Sequence, residues 1–152
     1  MRNLSKTFTQ VLSILIFLAF LSGCGGAYSP TDPRETVIAF FGAMEKNDEA
    51  ALAHLLDLAE LMKSKDKDYA LQSDEPRVFT SPVDILKDLT GEGLTKRRWF
   101  SLQRIVNRAE INGESATVEV SFIDQQSSTQ YLTKFGLHIV NDRWQIYTFK
   151  AN

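Results

Sequence analysis

Few side chains in this chain of 152 residues have the type and spacing to do chemistry. Cys24 is the only cysteine, and a thiolate is a strong nucleophile. His54 and His138 are the only two histidines, the side chains that titrate nearest neutrality and so the first candidates for general acid–base work. Asp57 and Glu60 are spaced i, i+3, a spacing that could pair two carboxyls on a helix. Tyr131 offers a phenolic donor. Lys96-Arg97-Arg98 is the densest basic cluster and runs directly into Trp99 and Phe100. Beside an anionic membrane surface each such base contributes about 1 kcal/mol. No cluster has metal-ligand spacing and no glycine-rich loop could cradle a phosphate, so neither a metal nor a cofactor is expected.

The elements that must carry these groups can be read from periodicity. Asp32-Pro33-Arg34-Glu35 combines a capping residue, a proline suited to the first helical position and a glutamate three residues after the cap. Val37, Phe40, Phe41 and Met44 then form one apolar stripe, and Asn47-Asp48 ends the helix. Asp48 caps a second helix with Leu52, Leu55 and Leu56 inside, expected to run to about Met62. On it Leu58 and Leu61 project to the opposite side, and His54, Asp57 and Glu60 lie off the inner stripe. Ser81-Pro82-Val83-Asp84 starts a third helix, which stops before Gly91. The stretch from Tyr69 to Thr80 has no clear period. From Trp99 the period becomes two. Strands are expected over 99–111, 115–123 and 129–140, with a last one carrying Trp144, Ile146, Tyr147 and Phe149. Asn112-Gly113 and Asn141-Asp142 are the hairpin turns. The expected fold class is α+β, with N-terminal helices packed on a curved antiparallel sheet of about four strands.

Ahead of these elements, Arg2 and Lys6 precede an apolar run from Val11 to Leu21, and then come Ser22, Gly23 and Cys24. A basic start, a short apolar core and a small-residue exit are the parts of a signal peptide. The apolar run is roughly half the ~20 residues a membrane-spanning helix needs. Leu21-Ser22-Gly23-Cys24 resembles the lipobox of bacterial lipoproteins, which implies cleavage before Cys24 and lipidation of its thiol. Two or three acyl chains, at about 0.8 kcal/mol per buried CH₂, make a stable anchor. The expected organisation is therefore a leader over 1–23, the lipidated cysteine and a tether over 24–32, and one domain over 33–152. Gly25 to Pro30 stretches to about 20 Å, which would hold the domain close to the membrane. Gly25, where an aspartate would imply inner-membrane retention, favours an outer membrane facing the periplasm. Cleavage would leave 15 basic against 19 acidic residues, a net charge of −4 that argues against nucleic-acid binding.

The segment Pro33 to Leu56, with Val37, Phe40-Phe41, Ala43-Met44, Asn47-Asp48, Ala51-Leu52 and Leu55-Leu56 at its marked positions, resembles the start of a nuclear-transport-factor-2-like (SnoaL-like) cone domain. Gly113 to Val120 and Asn141-Asp142-Arg143-Trp144-Gln145-Ile146 are also similar to that family. Small bacterial lipoproteins of unknown function carry this combination. The resemblance implies helices over a curved sheet. It leaves activity open, because the fold hosts isomerases and dehydratases as well as binding and assembly modules.

Within that frame Phe40, Phe41, Tyr131 and Trp144 are the candidate pocket lining, and Lys96, Arg97 and Arg98 the candidate headgroup contacts. His138 alternates with Lys134 and Gln130 on the face opposite Tyr131, Phe135 and Leu137, and so is expected to point away from the pocket. His54 is expected to be exposed, and Asp57 and Glu60 to be solvated. The expectation is a non-enzymatic, lipid-anchored envelope protein that binds a protein partner or a small apolar ligand, or aids envelope assembly. The alternative is a small-molecule isomerase or hydrolase using the cone pocket. A homodimer through the outer face of the sheet is compatible with the fold.

Overall fold

The computed structural model describes residues 32–63 and 79–151. The leader, Cys24, the tether before Asp32 and the aperiodic stretch up to Arg77-Val78 lie outside the described residues. Among the described residues, five helices precede four strands: α1 (Pro33–Lys46), α2 (Glu49–Leu55), α3 (Leu58–Lys63), α4 (Pro82–Leu89), α5 (Leu94–Phe100), then β1 (Gln103–Asn112), β2 (Ser115–Asp124), β3 (Thr129–Val140) and β4 (Arg143–Ala151). The strands form one antiparallel meander in the order β1-β2-β3-β4, and the helices pack on its apolar face. The α+β class and the antiparallel sheet are as the sequence predicts.

Local chemistry accounts for the ends of the first elements. The Asp32 carboxylate accepts from the backbone N–H of Arg34 at 2.8 Å, with Pro33 at the first helical position. Asn47 closes α1 in the left-handed region at φ 56°, a conformation asparagine tolerates. Asp48 then caps α2 through Ala51 N–H at 2.9 Å. The two-residue turn Asn141-Asp142 has positive φ at both positions, the geometry that matches strand twist in a tight hairpin.

Two elements differ from the sequence reading. The long second helix is two helices. Leu56 turns to an extended conformation and forms a parallel bridge with Ile146, while Asp57 N–H donates to the Ile146 carbonyl at 2.9 Å. The break rotates the chain, so that Leu52 and Leu56 are buried before it and Leu61 after it. One continuous helix could not bury both stripes in the same direction. The strand expected from Trp99 begins only at Gln103, because Lys96 to Phe100 continue α5. Thr95 and Trp99, one helical turn apart, are its buried pair. No capping side chain stands next to α5. Asp88, six residues before Leu94, supplies it by accepting from the Leu94 and Thr95 amides.

Candidate functional site

Among the described residues, aromatic rings occupy the space between helices and sheet. Phe40 and Phe41 on α1, Trp99 on α5, Phe122 on β2, Phe135 on β3 and Phe149 on β4 meet with ring centroids 5.0–6.2 Å apart, mostly edge to face. Such spacings are those of favourable aromatic packing. Phe40 and Phe41, two of the four candidate lining residues, belong to this cluster. Tyr131 is half-buried opposite Phe122 and packs against the edge of the core.

Trp144, the fourth, stands elsewhere. It lines a lateral groove of about 470 Å³ between α1, α2 and the β3–β4 turn. The groove's walls are Ala39, Gly42 and Ala43 from α1, Ala51 and Leu55 from α2, and Trp144. Lys46, His54 and Arg143 join them at polar positions, with Asp48, whose carboxylate is taken up in capping α2. The small α1 residues and Lys46 fall at i, i+3, i+4 and i+7, one stripe of the helix beside the stripe that enters the core. The core stripe is legible in the sequence and this one is not, since small residues give little apolar signal. His54 is exposed, as expected, but it borders a groove.

His138 lies on the face opposite Phe135 and Leu137, as alternation predicts. It is not a solvated residue there. Its Nε2 is 3.0 Å from Asp57 Oδ2, with 29 % of the His138 side chain and 20 % of the Asp57 side chain exposed. The other Asp57 oxygen accepts the Glu60 amide at 3.0 Å, so one carboxylate caps α3 and ties it to β3. Tyr147, which occupies a bulge in β4, lays its ring over His138 with centroids 4.8 Å apart. Gly136 makes room for it, because a Cβ there would meet Tyr147 and Thr148 atoms at 2.6–3.1 Å. Glu60 pairs with Lys63 rather than with Asp57. That Asp57 would leave solvent was invisible in sequence, because the helix break that carries it to the sheet was invisible.

Lys96, Arg97 and Arg98 sit on α5, where consecutive residues point about 100° apart. Arg97 is exposed, Lys96 donates to Asn47, and Arg98 is half-buried with its Nη1 out of contact with water. Arg104 stacks on Phe100 at 3.8 Å and donates to the Trp99 carbonyl at 2.9 Å. Burial lowers its pKa from the ordinary guanidinium value, and Glu45 pulls in the opposite direction. Among the described residues no three histidine, cysteine or carboxylate side chains come together, and no helix is long and apolar enough to cross a membrane.

Comparison with known proteins places this architecture. No family model and no curated protein matches the sequence. A solved designed protein of nuclear-transport-factor-2 type superposes with a TM-score of 0.52 at 14 % identity, covering 78 % of this chain and 95 % of the designed one. The fold is the nuclear-transport-factor-2-like cone. At that identity the likeness extends to architecture alone. In this cone, six aromatic rings occupy the space under the helices, and the groove opens at the side.

Proposed function

We propose that the protein is a lipid-anchored component of the bacterial cell envelope whose cone domain binds a ligand or partner and catalyses no reaction. The anchor rests on the Leu21-Ser22-Gly23-Cys24 sequence at the end of a signal-like apolar run. The observation that supports the binding role is the aromatic interior: acid–base chemistry in a cone needs titratable groups converging on an internal cavity, and among the described residues six aromatic rings stand there. In a Gram-negative source, the residue after Cys24 favours the outer membrane, with the domain in the periplasm.

Cells expressing the protein and fed an alkyne-bearing palmitate test the anchor. The wild-type chain takes up the label and matures to begin at Cys24, while Cys24→Ser takes up none and leaves the membrane fraction. A Cys24→Ser chain that is still cut before residue 24 and stays membrane-bound refutes the anchor. Pull-down of the lipidated protein from membranes then identifies what it holds. The isomerase or hydrolase alternative has one observation in its favour, the Asp57–His138 pair under Tyr147. Turnover of a small ester or enolisable ketone that His138→Ala abolishes would establish it.

A further inference from the structure

We infer that the lateral groove is a binding site for a small amphipathic anion, a fatty carboxylate of medium chain length, with its tail along α1 and α2 and its head between Lys46 and Arg143. This deepens the binding role proposed above and does not depend on the anchor. The groove's volume, about 470 Å³, lies within the roughly 300–1,000 Å³ of small-molecule sites. Its walls are apolar, and its polar groups are few: Lys46, Asp48, His54 and Arg143. Lys46 and Arg143 are exposed cations that form no ion pair among the described residues, and His54 stands with them. The one acid, Asp48, is held by the Ala51 amide. A cationic rim is unusual on a domain whose net charge would be −4, and it complements a carboxylate.

One further observation bears on the groove's open shape. Gly42 sits inside α1, where glycine destabilises a helix relative to alanine. Its backbone is helical, and a Cβ built on it would meet nothing within 4 Å. Neither conformation nor packing requires a glycine here; what its missing side chain does is keep the groove open. Trp144, only 6 % exposed, adds an indole to the groove's apolar wall, with its Nε1 turned out of contact with solvent.

The test uses the full chain in buffer, with or without its anchor, and a decanoic acid carrying a diazirine near its tail. After irradiation, crosslinks mapped by mass spectrometry are expected on α1–α2 and beside Trp144. Decanoate should compete at least tenfold better than decanol, its neutral counterpart. Gly42→Leu, which fills the groove from an unobstructed position, should cut labelling at least tenfold without lowering the melting temperature. Lys46→Gln with Arg143→Gln, two surface changes, should erase the preference for decanoate over decanol. Equal competition by decanol, labelling unchanged in folded Gly42→Leu, or crosslinks joining two copies of the chain would each overturn the site. None of these results touches the anchor, which stands or falls with the fate of Cys24→Ser.

Discussion

The two sides of α1 use opposite means on the same helix. One stripe, Val37, Phe40, Phe41 and Met44, drives large side chains into the sheet until the interior is closed. The neighbouring stripe, Ala39, Gly42 and Ala43, withholds side chains and leaves a groove. A cone whose function lay under its helices would need the reverse distribution, with small or polar residues inside. The contrast teaches that in this domain the open space lies on the flank of α1, with the exposed cations Lys46 and Arg143 beside it.

The largest effect that could break this contrast is truncation inside. Phe135→Ala removes a ring that contacts Phe40, Phe41, Trp99 and Phe149, and it should cost about 3–5 kcal/mol in urea unfolding. A loss below about 1 kcal/mol would mean that the interior tolerates a void and is not the closed side. Next in size is a pair of enlargements on the two sides. Ala116→Leu, on the buried face of β2, should destabilise by about 1–3 kcal/mol through overpacking. Gly42→Ala should instead stabilise by roughly 0.5–1 kcal/mol, because the helix gains and nothing is displaced. Equal signs for the two would erase the distinction.

Much of the closed side was legible in sequence, and little of the open side was. Ala116, Val118, Val120 and Phe122 alternate because one face of β2 is buried, and all four are buried in the fold. The α1 stripe and the Asn141-Asp142 turn were readable for similar local reasons. The break at Leu56-Asp57 was not, since its cause is Ile146, ninety residues away in β4. The start of α5 was hidden because its cap, Asp88, lies six residues before Leu94. The groove joins α1, α2 and the β3–β4 turn through residues too small or too polar to mark a face, so only their juxtaposition reveals it. The Asp57–His138 contact depends on the same unseen break. Asp57→Asn keeps the shape but weakens both the α3 cap and the tie to β3, and should cost about 1–2 kcal/mol.

The smallest effect tests how the closed side is held at its margin. Helix α4 supplies Ile85 and Leu89 to the core, and its N-terminus is fixed by a half-exposed carboxylate, Asp84. Asp84 Oδ2 accepts from Thr80 Oγ1 at 2.8 Å, from the Ser81 amide at 2.9 Å and from the Thr80 amide at 3.0 Å. These bonds, the Thr80 hydroxyl first among them, hold its pKa below the ordinary aspartate value of 3.8. A carboxyl whose folded pKa is depressed binds its proton more readily in the unfolded chain. Its contribution is therefore complete above pH 3.8 and disappears as pH falls through the lower, folded value. Asp84→Asn should lower the melting temperature slightly at neutral pH and by progressively less below pH 4, so the wild-type and variant curves converge in acid. Because the group faces water, the gap should also be modest throughout. Curves that stay parallel from pH 7 to pH 2 would show that the charge on Asp84 does not hold α4, and that Ile85 and Leu89 are kept in place by packing alone.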